Sequence, residues 1–200
     1  MIREQLRSYQ VEALNLMVKN KAFLEYDDMG IGKTITTLAA IEELNALPCL
    51  IVVPKFGLMV WEGEIANWLN MPAVIYTGKP KEREAQWKEF ITGGYKFLIT
   101  NYAMLPELAS KSGIQVSSSG VKPTGTFKWG AIIWDEIHMG GLFNYKNLVY
   151  KISDKFAHVI PVRFALTGTP FRQGVIDLYG PLHLMNPLFF KNYWSFIGKY

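Results

Sequence analysis

The sequence predicts an α/β fold built on a mainly parallel sheet with helices on both faces, and two observations carry that expectation. Six short apolar runs, at 21–26, 49–53, 73–76, 96–100, 129–134 and 163–166, are near-continuous rather than alternating. Strands covered on both faces by helices read this way, whereas a strand with one wet face alternates polar and apolar residues. Between the runs, apolar residues recur at three- and four-residue spacing over 9–20, 34–45, 58–69, 81–91 and 175–185, which predicts helices. Strands alternating with helices imply a layered α/β arrangement.

The bulk properties bound the rest. Two hundred residues, half of them apolar, suffice for one substantial core, so a single domain over 1–200 is expected. Cys49 is the lone cysteine, which excludes an internal disulfide and fits a reducing compartment without requiring one. No apolar run approaches the roughly 18 residues needed to span a bilayer, and the first ten residues are too polar for a signal peptide. A soluble, unexported protein, cytoplasmic or nucleoid-associated and without a membrane partner, is therefore expected. The net charge of +4 and pI near 9.0 are compatible with a polyanionic partner but do not demand one. One segment breaks the rhythm: 110–127 is rich in Ser, Gly and Thr and is expected to be a flexible insertion loop, either merely tolerated or reaching for a partner.

The first run leads into Asp27-Asp28-Met29-Gly30-Ile31-Gly32-Lys33-Thr34, and a predicted helix follows. A triphosphate site needs this order, because a strand ending in a tight turn aims successive backbone N–H groups and a helix N-terminus at the phosphates. The general pattern G-x-x-x-x-G-K-S/T would place glycine where Asp27 stands. Gly30 and Gly32 let the backbone approach the phosphates, Lys33 reaches the β and γ phosphates, and the Thr34 hydroxyl ligates Mg²⁺. Asp28, Met29 and Ile31 complete the expected ATP-binding loop.

A bare G-K-T is common by chance, so a second site has to accompany it. It comes at Asp135, which follows the apolar run 129–134 and so sits at the carboxyl end of a strand, where open parallel sheets bind ligands. Asp135 is expected to hold the metal and Glu136 to orient and deprotonate the attacking water. His138 has two readings at this point, a structural histidine or part of the site.

These residues carry a family resemblance. The chain resembles the N-terminal RecA-like lobe of a Swi/Snf-type ATPase, in the DEAH-like part of helicase superfamily two. Leu6 to Gln10, "LRSYQ", is similar to the family's adenine-recognising glutamine motif, and "DDMGIGKT" to its D-E-M-G-L-G-K-T, where an acidic residue takes the place of Asp27. "LIVVPKFGLMVWEGEIANW" resembles motif Ia, "ITNYAML" the T-x-Y-x-x-L segment, "DEIH" motif II and "LTGTP" motif III, followed by "LYGPLHLMNP". Six such segments in the right order are far more specific than any one.

The resemblance implies a RecA-like P-loop lobe that hydrolyses Mg-ATP. Gln10, supported by Arg7, matches the adenine N6/N7 edge with one donor and one acceptor. Thr167, Gly168 and Thr169 relay the nucleotide state toward DNA, and His138 joins that relay. Lys55, Thr100 and Tyr102 stand where the family contacts the backbone of double-stranded DNA, contacts that carry no sequence information. For each, a plain structural role is the competing reading.

A motor of this class works with a second RecA-like lobe that contributes arginine fingers, and nothing after Pro187 resembles one. Phe189, Phe190, Tyr193, Trp194 and Phe196 crowd the C-terminal end, either packing on the lobe or forming a docking face. The leading expectation is a DNA-dependent ATPase lobe that is weak alone; the alternative is a non-hydrolysing, nucleotide-dependent module that binds DNA or protein.

Overall fold

The structure is a computed structural model that describes residues 1–114, 127–169 and 174–200. Six strands, β1 (Ala22–Glu25), β2 (Cys49–Val53), β3 (Ala73–Tyr76), β4 (Phe97–Asn101), β5 (Ala131–Trp134) and β6 (Val162–Leu166), form one sheet in the order β1-β6-β5-β2-β4-β3. Every pairing is parallel. All carboxyl ends therefore lie on one edge, and β1, β6 and β5 bring the chain after residues 25, 166 and 134 side by side.

Helices cover both faces. α1 (Ser8–Asn20), α2 (Lys33–Leu44) and α3 (Leu58–Leu69) pack on one through Leu14, Met17, Leu38, Trp61 and Ile65 against Cys49, Ile51 and Val53. α4 (Pro80–Thr92), α5 (Leu105–Lys111), α6 (Leu148–Val159) and α7 (Tyr179–Met185) close the other through Trp87, Phe90, Leu108, Phe156 and Leu184 against Leu50 and Val52. Successive residues of β2 thus point to opposite cores, which is why the run is apolar throughout. A short α8 (Tyr193–Lys199) follows.

Three sequence expectations need correction. The helix expected over 175–185 is a 3-10 turn at Val175–Leu178 followed by α7, with Pro181 in the first turn of the helix, where its missing N–H costs nothing. The expected insertion begins too early: Ser110 and Lys111 belong to α5, and Ser112 and Ile114 are buried, with Trp129 Nε1 donating to Ser112 Oγ at 2.9 Å. The rest of that expected loop, up to residue 126, lies outside the described residues. Finally, α6 joins β5 to β6 and has no counterpart among the expected helices.

α6 and α7 are tied by His183. Its Nε2 lies 3.0 Å from Asp154 Oδ1 and its Nδ1 2.7 Å from the Phe190 carbonyl oxygen. Both partners only accept, so both ring nitrogens must carry protons for both bonds to form. Burial opposes the charge, but the bonds to Asp154 and the Phe190 carbonyl outweigh it and raise the pKa above 6.5. His158, whose Nδ1 is 3.4 Å from Asp154 Oδ1, shares the same carboxylate. With the folded pKa above the unfolded one, the bridge stabilises fully below the unfolded value and is lost as pH rises through the folded one. His183→Gln is expected to cost about 1.5–3 kcal/mol at pH 6 and clearly less at pH 8.5; urea melts at the two pH values measure the difference.

Candidate active site

The phosphate loop follows β1 directly and ends at the first residue of α2. Gly30 and Gly32 have φ of 82° and 90°, conformations that side chains with a Cβ adopt only with strain. A Cβ on Gly32 would also lie 2.3 Å from Gln10 Nε2. Lys33 Nζ donates to the carbonyls of Asp27 at 2.7 Å and Asp28 at 2.8 Å, so the ammonium spans the loop that precedes it. Tyr9 Oη and Gln10 Nε2 both donate to the Ile31 carbonyl, at 3.0 and 2.9 Å. The glutamine segment is thereby fastened to the phosphate loop, a joint between α1 and α2 that neither motif shows by itself.

Gln10 is 8% exposed, and its Oε1 accepts the Arg7 N–H at 2.9 Å. The amide has used one of two donor hydrogens and one of two acceptor positions, so one of each remains for a ligand. Arg7 itself is exposed at the cap of α1.

Asp135 and Glu136 stand beyond β5, across from the loop. Asp135 is fixed at all four polar groups: its N–H donates to the Val52 carbonyl (2.9 Å), its carbonyl accepts from Tyr102 Oη (2.6 Å), Oδ1 from the Glu136 N–H (2.9 Å) and Oδ2 from Trp61 Nε1 (2.8 Å). Its pKa is raised by burial, against which the Trp61 hydrogen bond works, while the Glu136 charge adds to the rise. Glu136 has φ of 49°, unusual for a residue with a side chain, and such strain is stored where the side chain's aim matters. Its buried Oε2 faces His138 Nδ1 at 3.2 Å without an aligned hydrogen bond.

β6 contributes the third segment. Thr167 Oγ1 lies 3.0 Å from both the N–H and the carbonyl oxygen of Thr169, and 2.9 Å from His138 Nδ1. If the hydroxyl donates to the Thr169 carbonyl and accepts the Thr169 N–H, His138 must offer its proton on Nδ1, between Thr167 and Glu136. Gly168 abuts the phosphate loop, since a Cβ there would sit 3.2 Å from Met29 Cγ. The threonine segment therefore abuts the loop through Gly168 and approaches the acid pair through His138.

A cavity of about 490 Å³ opens between them, lined by Met29, Gly30, Gly32, Lys33, Thr34, Ile35, Asp135 and Glu136, with Glu64 and Trp68 from α3. Among the described residues no group of three or more His, Cys, Asp or Glu side chains forms a protein-only metal cage. Mg²⁺ needs none: it keeps waters and is bound through one or two protein oxygens plus phosphates. The Thr34 hydroxyl and Asp135, whose carboxylate oxygens each retain a lone pair, fit that requirement.

The expected DNA contacts separate. Lys55 is exposed in the 3-10 turn after β2. Thr100 is 0% exposed and donates its hydroxyl to the Tyr76 carbonyl; Tyr102 is 8% exposed with its hydroxyl on Asp135. The expectation that these two side chains touch DNA is corrected on physical grounds, because both hydroxyls are already used inside the fold.

Sequence reading missed four residues around the site. Trp61, Glu64 and Trp68, spaced three and four apart, share one face of α3, and Trp68 Nε1 donates to Glu64 Oε2 at 2.7 Å. The signal lay inside the quoted motif Ia segment. Glu25, at the end of β1, is 4% exposed with Oε2 lacking a partner. Burial pushes its pKa up to about 8, with Asp27 and Asp135 adding and Lys33 opposing.

Comparison with known proteins places this geometry. The SNF2-related domain family matches residues 9–200. The chain is 29% identical over 223 residues to human "Chromodomain-helicase-DNA-binding protein 8", covering 99% of this chain and 8% of that protein. It is 33% identical over 204 residues to Arabidopsis thaliana "Probable ATP-dependent DNA helicase CHR12", covering 96% of this chain and 17% of the relative. Among solved structures, the "Sulfolobus solfataricus SWI2/SNF2 ATPase core in complex with dsDNA" superposes with a TM-score of 0.75 at 24% identity, over 98% of this chain and 38% of that one. The chain thus spans a small part of these relatives. No helix among the described residues is long and apolar enough to cross a membrane. With its phosphate loop, acid pair and parallel sheet in this arrangement, the chain belongs to the SNF2-related domain family, as an N-terminal RecA-like lobe of the Swi/Snf type.

Proposed function

We propose that this lobe binds and, when completed by a second RecA-like lobe, hydrolyses Mg-ATP to drive movement along double-stranded DNA. The observation that carries the reading is the single cavity onto which Lys33, Thr34, Asp135 and Glu136 all open at the N-terminus of α2. The names of the relatives, an ATP-dependent helicase and a core bound to dsDNA, support it.

In this reading the free N–H groups of the loop and the α2 N-terminus receive the phosphates. Lys33 exchanges its two carbonyl partners for β and γ phosphate oxygens, and the remaining donor and acceptor of Gln10 select adenine. Bound at Thr34 and Asp135, Mg²⁺ would neutralise developing phosphate charge. Glu136 takes the proton of the attacking water, while His138 Nδ1, hydrogen-bonded to Thr167 Oγ1, lies 3.2 Å from its Oε2. His138, Thr167 and Thr169 link that carboxylate to the β6 segment, so a shift at the γ phosphate reaches the neighbouring loop. Among the described residues the cavity lining includes no arginine. Arginine fingers contribute about 10³- to 10⁵-fold in related reactions, so the chain by itself should turn over slowly.

DNA contact rests on Lys55 and on backbone groups of the turns after β2 and β4. The test is ATP hydrolysis with and without duplex DNA, after addition of a second lobe. Duplex is expected to raise the rate, and an unchanged rate counts against the motor reading. Lys55→Ala should weaken duplex binding without sequence preference and lower the log–log salt slope by about 0.9, the loss of one phosphate contact. An unaltered slope in fluorescence anisotropy removes Lys55 from the interface.

A further inference from the structure

We propose that Trp61 and Tyr102 are positioning residues of the nucleotide site: together they lock Asp135 in the orientation that a phosphate-bound metal needs. The inference rests on the nucleotide reading above and assigns two residues that the motif argument leaves to packing or to DNA.

Asp135 must present its carboxylate to the cavity, yet the terminal torsion of an aspartate is intrinsically soft. Two donors from different parts of the chain remove that freedom. The Glu136 N–H takes Oδ1, and Trp61 Nε1, reaching across from α3, takes Oδ2 at 2.8 Å. With both oxygens held, the plane of the carboxylate is set, and only the second lone pair of each oxygen is left for a ligand.

Tyr102 does the same for the main chain. Its hydroxyl donates to the Asp135 carbonyl at 2.6 Å, while the Asp135 N–H is anchored on Val52. The tyrosine ring is buried and packs closely on Gly140, where a Cβ would lie 2.3 Å from it. Trp61, 1% exposed, is likewise packed in the core between α3 and the sheet.

A buried indole needs an acceptor, and packing alone could explain Trp61. What packing does not explain is the choice of acceptor. Both donors converge on one residue, which opens onto the cavity of Lys33 and Thr34, and together with Val52 and Glu136 they satisfy each of its polar groups once. Groups that orient a metal ligand from behind typically change metal affinity by about 10- to 100-fold when removed.

The test is binding of a fluorescent ATP analogue to the full chain as Mg²⁺ is titrated, with a parallel measurement in EDTA. Trp61→Phe keeps the ring volume roughly and removes the N–H; Tyr102→Phe removes one oxygen. Each is expected to raise the Mg²⁺ concentration for half-maximal binding, Trp61→Phe by about tenfold, and to leave binding in EDTA as in the wild type. In an Asp135→Asn background the same changes should shift the midpoint no further. Equal losses in Mg²⁺ and EDTA, or effects that add fully to Asp135→Asn, assign the two residues to packing and overturn the proposal. If Trp61→Phe melts before it can be assayed, Tyr102→Phe decides alone, with an unchanged midpoint counting against it. A wild type that binds equally with and without Mg²⁺ overturns this proposal, whereas one that binds the analogue in neither condition overturns the nucleotide reading, so the two failures are distinct.

Discussion

Glu136→Gln is expected to leave ATP binding intact and to slow the hydrolysis proposed for the chain with a second lobe added by about 10²- to 10⁴-fold, the range over which a positioned general base contributes. The substitution keeps the shape and removes the proton acceptor. Its backbone cost should be nil, because glutamine meets the same left-handed φ of 49° as glutamate. Lys33→Ala, by contrast, should act on binding. It deletes the ammonium that bridges the Asp27 and Asp28 carbonyls and that would meet the phosphates, charge-assisted bonds worth roughly 1.5–3 kcal/mol each, or about 10- to 100-fold in affinity. Calorimetry and phosphate-release assays on both variants separate the two effects. If Glu136→Gln hydrolyses at the wild-type rate, the water is activated elsewhere; if Lys33→Ala binds ATP normally, the loop is not the phosphate site.

The sheet was the most legible part of the sequence, and its composition explains why. β2 and β4 are buried along their whole lengths, and β2 reads as an unbroken apolar run while β4 turns polar only at its last two residues, Thr100 and Asn101. α6 was missed although topology demanded it: β5 and β6 are parallel neighbours, and parallel strands require a crossover. Its sequence, LVYKISDKFAHV, is rich in β-branched and aromatic residues, and only the spacing of Ile152, Ser153, Phe156 and Ala157 reveals one buried helical face. At the site, residues expected from spacing along the chain were found together, because phosphate loop, acid pair and threonine pair each follow a strand on one sheet edge. Spacing could not distinguish surface from interior within a turn. Lys55 and Tyr102 both follow strand ends, yet one is exposed and the other is buried on Asp135, a difference set by what packs above each turn. Trp61 escaped for the opposite reason, since a tryptophan on an apolar helix face predicts core and says nothing of its N–H.

Glu25→Gln is expected to make the protein more stable above neutral pH and to remove a pH dependence that the wild type shows. Glu25 ends β1 beneath the phosphate loop, with its Oε2 buried and unpartnered. Burial is the largest influence and holds its pKa at about 8, against 4.5 for the free side chain. For an acid whose folded pKa is raised, the unfolded chain releases its proton first. Stability therefore falls as pH climbs from about 4.5 to about 8, and the loss is complete above that. A shift of this size corresponds to roughly 3–5 kcal/mol at about 1.4 kcal/mol per pKa unit. Glutamine has no proton to lose, so from pH 6 to 9 its urea midpoint should fall less than that of the wild type, by only the smaller loss that comes from His183. The same titration bears on Lys33, whose charge already favours the ionised form of Glu25. While Glu25 is neutral, the ammonium is held only by two loop carbonyls and can transfer to a phosphate; once Glu25 ionises, a buried anion competes for it and repels the triphosphate. Wild-type affinity for ATP should accordingly weaken as pH passes 8, and Glu25→Gln should bind equally well on either side. A wild type whose stability falls no more steeply than that of Glu25→Gln, with affinity flat across that range, would show Glu25 to be ionised throughout, held by a cationic partner inside the fold.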